Sequence, residues 1–326
     1  MTEMTMATAL NAGLRRAMEA NPKVLLMGED IGTLGGVFRI TDGLMKDFGA
    51  SRVIDTPLSE SAIVGTAVGL AMRGYRTVCE IQFDGFVYPA FDQIVSQVAK
   101  LRKRSDGVFT MGLVIRLPFQ GGIGAIEHHS ESPEAYFAHT PGLRVVSCSN
   151  PNDAYWMIQQ AVACDDPIIF CEPKSRYWEK GNVDLEQASL GLFDARVVRE
   201  GHDVTVVGFG SYVKTMMRAA DAADLEGRSL EVIDLRSISP LDSATLVRSL
   251  RKTGRLLVVQ EAPHTASIGA TIVAELTREC FYDMRAPGLI VSGYHVPYPI
   301  SRHEEEYRPS VERILDGVDR LFEYDV

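Results

Sequence analysis

Short apolar runs alternate with segments of helical periodicity along most of the chain. Brief aliphatic runs are typical of strands covered on both faces, and recurrence every three to four residues is typical of helices. The predicted strands lie at residues 24–27, 52–54, 77–83, 113–115, 144–146, 168–170, 204–207, 230–235 and 256–259. The predicted helices lie at residues 61–72, 91–101, 153–162, 213–223, 243–251 and 268–280. This alternation predicts an α/β fold with parallel sheets covered by helices.

The pattern is interrupted once, where residues 179–200 lack a clear period and contain polar clusters. A chain of 326 residues corresponds to roughly two domains. We therefore expect one domain at residues 1–180, a linker at 181–200 and a second domain at 201–326.

Composition narrows the class of protein. The chain has 43 acidic and 33 basic residues, so it is a poor candidate for nucleic-acid binding. No apolar run reaches about 18 residues, so no membrane-spanning helix is expected. The five cysteines form no CxxC pair, which argues against a zinc site and a disulfide framework. The N-terminus lacks a secretory signal pattern, and we expect a cytoplasmic protein.

Candidate chemistry is expected after the strands, because open α/β sheets bind ligands at the carboxyl ends of their strands. Residues 55–60 are the first such segment. Pro57 disfavours helix at the preceding residue, and Ser59 is a suitable N-cap, which places Glu60 in the first turn of a helix. Its carboxylate either complements the helix dipole or is held against a ligand. Repeated glycine and alanine in that helix indicate that a backbone or a flat ligand packs closely.

Three further segments follow predicted strands. After the strand at 77–83, Phe86 is either a core residue or a ring that stacks on a planar group. A glycine-rich stretch from Gly121 leads to His128 and His129, which are adjacent and therefore not a metal-binding pair; a histidine there either transfers protons or is structural. Residues 208–211 match only half of a dinucleotide-binding fingerprint, which is weak evidence for nicotinamide binding.

Several segments together resemble one family. They are residues 28–32, 35–39, 55–60, 80–83, 89–93, 130–142, 231–236, 254–256, 261–263 and 294–299. The chain resembles the β subunit of thiamine-diphosphate-dependent 2-oxo acid dehydrogenases, over essentially its whole length. The resemblance implies a transketolase-like pyrimidine-binding domain, a transketolase C-terminal-like domain and an α2β2 heterotetramer. It also implies that the α subunit holds the diphosphate and its Mg²⁺, and this chain contains no GDG motif.

The resemblance assigns roles to particular residues. Glu60 matches the glutamate that hydrogen-bonds N1′ of the cofactor aminopyrimidine, Phe86 matches an aromatic residue that packs on that ring, and Leu58 and Gln82 are expected neighbours. His129 matches the histidine implicated in acyl transfer to the lipoyl group. Some relatives also hold a structural K⁺, and the corresponding positions here are Leu113, Val114, Ala161, Cys164 and Asp166.

The resemblance leaves the substrate less defined than the family. Residues 89–93 and 132–139 resemble branched-chain enzymes more than pyruvate enzymes. We therefore expect oxidative decarboxylation of branched-chain 2-oxo acids and acylation of a lipoyl domain on an acyltransferase core. The alternatives are a pyruvate or acetoin dehydrogenase β subunit, a non-catalytic scaffold that docks the acyltransferase core, and a nicotinamide oxidoreductase.

Overall fold

A computed structural model describes residues 1–324, and strands and helices alternate along it as the apolar pattern predicts. The strands are β1 (Thr2–Thr5), β2 (Val24–Gly28), β3 (Val53–Asp55), β4 (Arg76–Glu80), β5 (Leu113–Phe119), β6 (Arg144–Ser147), β7 (Ile168–Pro173), β8 (Lys180–Val183), β9 (Arg196–Arg199), β10 (Val204–Gly208), β11 (Leu230–Asp234), β12 (Ser237–Ser239), β13 (Leu256–Val259) and β14 (Leu289–Val291). The helices are α1 (Met6–Ala20), α2 (Leu44–Phe48), α3 (Glu60–Met72), α4 (Leu101–Arg104), α5 (Glu134–Ala138), α6 (Pro151–Ala163), α7 (Tyr212–Leu225), α8 (Ser243–Thr253), α9 (Ile268–Cys280), α10 (Glu304–Tyr307) and α11 (Val311–Phe322).

A seven-stranded sheet organises the N-terminal half, in the order β12-β6-β7-β5-β4-β2-β3. All of its pairs are parallel except β12–β6 at the edge. Strand β5 is buried along its whole length, as expected for a strand covered on both faces. Helices α1 and α6 cover one face and pack closely against each other. Their backbones are so near that a Cβ at Gly13 would lie 2.6 Å from the Tyr155 carbonyl oxygen.

The C-terminal half has a five-stranded sheet in the order β14-β13-β10-β11-β9, parallel except for β9 at its edge. Its core is not separate from that of the first half. One apolar cluster runs from the α3 side of the first sheet into the second sheet, where the rings of Phe119 and Phe209 stack with centroids 6.5 Å apart. The two halves therefore share a continuous hydrophobic contact.

The structure departs from the sequence expectations at defined places. The predicted strand 77–83 ends at Glu80, and the predicted helix 91–101 is a π-helix at Gln93–Val98 followed by the short α4. The predicted linker contains most of β8, which pairs with β1, and all of β9, which extends the second sheet. These pairings join segments distant in sequence, so local periodicity does not reveal them. No helix among residues 1–324 is long and apolar enough to cross a membrane.

Candidate active site

The carboxyl ends of three neighbouring strands lie side by side at one end of the seven-stranded sheet. Strand β2 pairs with β3 and β4 so that Gly28 is opposite both Asp55 and Glu80. The segments that follow these strands therefore lie side by side, as expected for parallel strands. They carry Glu29, residues 56–60 and Gln82, whose amide donates to the Glu29 carbonyl at 3.4 Å.

Asp55 holds the loop at Gly32 and Thr33 in place beside these strand ends. Its carboxylate accepts from the backbone N–H of Gly32 at 2.5 Å and from the backbone N–H of Thr33 at 3.0 Å. The Thr33 hydroxyl also donates to it, at 3.1 Å. Burial opposes the charge, but these three donors outweigh it and lower the pKa of Asp55. Asp55 is thus an ionised residue with a local structural role.

Glu60 lies where the sequence predicts it, in the first turn of α3. The Ser59 side chain caps the helix by accepting from the Ala62 N–H at 3.4 Å. Glu60 is half-buried, and no side chain among residues 1–324 forms a hydrogen bond or ion pair with its carboxylate. It is close enough to Glu29 that burial, the Asp30 carboxylate and the Glu60 carboxylate together raise the pKa of Glu29. The two carboxyl groups are therefore close enough to repel each other.

Three rings form what we call the aromatic cluster: Phe83, Phe86 and His129. The His129 ring lies 4.2 Å from that of Phe83 and 5.2 Å from that of Phe86, centroid to centroid, and both contacts are edge-on. Helix α3 packs against the segment Asp84–Ala90, which contains Phe86. The structure therefore brings Phe86 close both to the helix that begins at Glu60 and to His129.

The environment of His129 favours a neutral imidazole. Burial is the main cause that lowers its pKa, and the nearby positive charge of Lys174 adds to it. Its Nδ1 is buried without a hydrogen-bond partner among the described residues. Lys174 is itself buried and paired with Asp84 at 3.2 Å, and burial raises the pKa of Asp84 to about 7. His128, by contrast, is exposed and pairs with Glu127.

These residues fit the aminopyrimidine ring that the resemblance implies. Leu58 has 71% of its surface exposed, and Phe86 presents a half-buried ring. A buried Thr56 hydroxyl without a partner lies in the same segment as Glu60. An apolar surface with a few unpaired polar atoms is typical of a ligand site. No group of three His, Cys, Asp or Glu residues in the described part of the chain is arranged to hold a metal.

Three of the positions proposed for potassium form hydrogen bonds within the chain. The Cys164 carbonyl accepts from Arg76, the Ala161 carbonyl accepts from the Cys164 N–H, and the Asp166 carboxylate is bound by Arg102 and Arg144. The oxygen atoms of Ala161, Cys164 and Asp166 therefore already accept hydrogen bonds, and three guanidinium groups face the carboxylates of Asp165 and Asp166.

Sequence reasoning missed Glu29, Asp84 and Lys174 as members of this region. Glu29 directly follows β2, so the rule that ligand sites lie after strands was sufficient to select it. Asp84 and Lys174 are 90 residues apart, and nothing local predicts their pairing.

Comparison with known proteins agrees with this architecture. Residues 2–179 match the family described as transketolase, pyrimidine binding domain, and residues 194–314 match transketolase, C-terminal domain. A solved structure titled "Split gene transketolase, inactive beta4 tetramer" has a TM-score of 0.80 over 98% of this chain and 99% of that chain, at 20% identity. The fold and the site thus define a two-domain, transketolase-like α/β protein.

More similar relatives identify the family. "Pyruvate dehydrogenase E1 component subunit beta" of Leifsonia xyli subsp. xyli is 57% identical over 321 residues, which cover 98% of this chain and 95% of that relative. "3-methyl-2-oxobutanoate dehydrogenase subunit beta" of Mycobacterium tuberculosis is 50% identical over 319 residues, which cover 98% and 92%. The chain belongs to the family of β subunits of the E1 component of 2-oxo acid dehydrogenases. These relatives are named for different acids.

Proposed function

We propose that this chain forms a thiamine-diphosphate-dependent active site together with an α subunit, and that the enzyme oxidatively decarboxylates branched-chain 2-oxo acids. When bound, thiamine diphosphate supplies the carbon nucleophile that adds to the oxo group and accepts the electron pair released with CO₂. The chain contributes the groups that bind and orient the aminopyrimidine. The observation that carries the proposal is Glu60, an unpaired carboxyl group at the end of the sheet, in the first turn of the helix that packs against the segment containing Phe86.

Glu60 holds and exchanges a proton at N1′ of the aminopyrimidine. Its position suits this role because no neighbouring side chain competes for the carboxylate. Phe86 packs on the ring, while Leu58 and Gln82 border it. Burial is the main cause that raises the pKa of Glu29, and the negative charges of Asp30 and Glu60 add to it, so a bound ring with a proton at N1′ would relieve part of the repulsion between Glu29 and Glu60.

His129 serves the later transfer of the acyl group to a lipoyl domain. Its lowered pKa keeps the imidazole neutral near pH 7, so one ring nitrogen can accept a proton or a hydrogen bond. The edge-on contacts with Phe83 and Phe86 orient the ring. The lipoyl domain is expected to come from an acyltransferase core that docks on the heterotetramer.

The α subunit supplies the rest of the site. We propose that it holds the diphosphate and Mg²⁺, as the resemblance implies, and this chain contains no GDG motif. The two chains would assemble as α2β2. Leu58 and the small exposed residues of α3, Ala62, Thr66 and Gly69, are suited to close approach by that partner.

The test is to co-express this chain with its α partner and measure decarboxylation of 3-methyl-2-oxobutanoate and pyruvate, with and without thiamine diphosphate and with an artificial electron acceptor. We expect activity only from the complex, with a higher kcat/KM for the branched acid. A preference for pyruvate would overturn the substrate but not the reaction. A stable complex that acts on neither acid would favour the scaffold.

Pyruvate is the second candidate substrate, because the 57% identical relative is named for it. One or two methylene groups contribute only about 1–3 kcal/mol of discrimination, so small changes in the pocket are sufficient to switch preference. The variant Glu60→Gln distinguishes an enzyme from a scaffold. It should remove catalysis in an enzyme and change nothing in a scaffold.

A further inference from the structure

The glycine-rich stretch that leads to His129, residues 121–126, is held from the other half of the molecule. The Gly121 N–H donates to the Glu261 carboxylate at 2.7 Å. The N–H groups of Gly122 and Gly124 donate to the two oxygens of Glu304 at 2.7 and 3.0 Å. Two carboxylates from the C-terminal half therefore bind three backbone donors of one short loop.

Both carboxylates are built into the C-terminal half and are not mobile surface groups. Glu304 is only 7% exposed, and the Tyr298 hydroxyl donates to it at 2.8 Å. Glu261 accepts from the hydroxyl of Tyr212 at 2.5 Å and lies 3.3 Å from Arg308. Buried carboxylates with fixed hydrogen bonds make rigid anchors for backbone donors.

Glycine is required where the loop meets these groups. Gly122 has a φ of +92°, and a Cβ there would lie 2.8 Å from the Arg308 guanidinium. A Cβ at Gly121 would overlap the Tyr298 hydroxyl. The close approach of backbone to carboxylate thus depends on the absence of side chains.

Local hydrogen bonds carry this anchoring on to His129. The His129 N–H donates to the Ile126 carbonyl at 2.9 Å, and the Ser130 hydroxyl donates to the Ala125 carbonyl at 3.3 Å. The Gln120 N–H donates to the Glu131 carbonyl at 3.0 Å, and this hydrogen bond joins the two ends of the segment. The position of the histidine is therefore set at both ends of the loop.

We propose that Glu304 is a positioning residue that holds the loop at residues 122–124 and thereby fixes His129 for acyl transfer. The proposal rests on the function proposed above for His129. Glu304 does not touch the reacting atoms; it acts through the backbone. Loss of its two loop bonds lets His129 move, while Glu60 and Phe86 keep their places.

The test compares Glu304→Ala and Glu304→Gln in the α-containing complex, with Glu305→Gln as a control that removes charge from the exposed neighbour. Misplacement of a reacting group by about 1 Å costs up to about a hundredfold in rate. We expect Glu304→Ala to slow lipoyl acylation by between about tenfold and a hundredfold. Dye-coupled decarboxylation should change less than about twofold. Glu304→Gln, which keeps one acceptor oxygen, should be intermediate.

Hydrogen–deuterium exchange of the peptide spanning residues 120–131 supplies a readout that needs no activity. Glu304→Ala should raise exchange there, and Glu305→Gln should leave it unchanged. Equal losses in both reaction steps, or unchanged exchange in Glu304→Ala, would overturn the proposal. If the unaltered complex has no 2-oxo acid activity, the proposed function fails, and exchange alone then decides whether Glu304 holds the loop.

A second and independent observation concerns the turn after α6. Arg76 at the start of β4 donates to the Cys164 carbonyl and pairs with the Asp165 carboxylate, each at 2.5 Å. A Cβ at Gly112 would overlap the Arg76 guanidinium, so this guanidinium packs directly against the backbone that precedes β5. The Met111 N–H donates to the Asp165 carbonyl at 3.1 Å. One cationic side chain thus ties three segments together.

The charges around this turn explain why a metal ion does not fit. Arg102 and Arg144 both bind Asp166, so three guanidinium groups face two carboxylates. An added monovalent cation would meet like charges and would find the Cys164 carbonyl already engaged. We infer that the Arg76 guanidinium takes the place of the structural cation held by some relatives.

The test is thermal unfolding of the purified α-containing complex in KCl, NaCl and choline chloride at equal ionic strength. The Tm of the unaltered protein should agree among the salts within about 1 °C. Arg76→Ala should lower the Tm and should be restored in part by K⁺ but not by choline. Lys103→Ala, an exposed cation nearby, serves as the control.

Three results would each overturn this second inference. They are a K⁺-specific stabilisation of the unaltered protein, a Tm for Arg76→Ala equal to that of Lys103→Ala, and an Arg76→Ala variant that K⁺ does not stabilise more than choline does.

Discussion

The two edges of the candidate site are built differently. The part of the site that carries His129, which we call the closed edge, is held by the rest of the chain. The His129 ring packs on Phe83 and Phe86, and the loop before it is bound by carboxylates of the C-terminal half. The part of the site that carries Glu60, which we call the open edge, has fewer contacts. The Glu60 carboxylate has no partner among residues 1–324, and Leu58, two residues before it, is exposed. One edge is thus completed by contacts within the chain, whereas the other has an unpaired carboxylate and an exposed apolar side chain.

The open edge continues along α3. Of its four exposed positions, Ala62, Thr66 and Gly69 carry small residues and Met72 a large one, and a Cβ at Gly69 would meet nothing within 4 Å. Glycine inside a helix is unfavourable by about 1 kcal/mol relative to alanine, so its presence here needs a reason other than helix stability. Close approach of a partner backbone is such a reason, and it agrees with the proposed α subunit.

The largest expected effect comes from Glu60→Gln, which removes the proposed acid–base group from the open edge. We expect turnover of the complex to fall by about 100-fold or more, because general acid–base groups contribute about that much. Assembly and Tm should change little, since the Glu60 carboxylate forms no hydrogen bond or ion pair with a described residue. Ser61→Ala is the matched control. Near-normal turnover, measured by dye reduction, would refute the role of Glu60.

The second expected effect tests the open face of α3 as a partner surface. Gly69→Phe leaves the chain able to fold, because the position faces open space. We expect it to weaken association with the α subunit by about tenfold or more, measured by size-exclusion chromatography over a dilution series. Val108→Phe, also at an exposed position, is the control. Unaltered assembly of Gly69→Phe would mean that the partner binds elsewhere.

A smaller and more selective effect is expected at the closed edge. His129→Ala should slow lipoyl acylation by about tenfold or more while dye-coupled decarboxylation changes little. The reason is that the aromatic cluster retains Phe86, on which the cofactor ring is proposed to pack. Single-turnover measurement of both steps checks this. Mild and equal losses in the two steps would remove His129 from the acyl-transfer role.

The sequence was sufficient for the open edge and insufficient for the closed one. Ser59, Glu60 and the helix behind them follow from local rules on capping and proline, and the structure confirms the cap and the first turn. The closed edge depends on contacts between distant segments, such as Gly122 with Glu304, 182 residues apart. Likewise, β12 joins the first sheet from the second half. Periodicity carries no information on such pairings, because they depend on how the two halves pack.

The smallest expected effect concerns Glu134, just beyond the closed edge. Both of its carboxyl oxygens are buried without a partner among the described residues. Burial, with a contribution from the Glu261 carboxylate, raises the pKa of Glu134 to about 8. The folded protein therefore binds a proton here that the unfolded chain releases above its ordinary pKa. Stability should fall as pH rises from about 4.5 to about 8.

Glu134→Gln removes this titration while keeping the shape of the side chain. We expect its Tm to lie close to that of the unaltered protein at pH 5 and to exceed it by a growing margin up to pH 8, because only the unaltered protein loses the stabilisation that comes from the Glu134 proton. Some pH dependence should remain, because burial also raises the pKa of Asp84 and of Asp234 to about 7. Glu305→Gln is the exposed control. Parallel Tm curves for Glu134→Gln and the unaltered protein between pH 5 and pH 8 would mean that Glu134 is charged when buried, and that the closed edge holds a compensating partner for it.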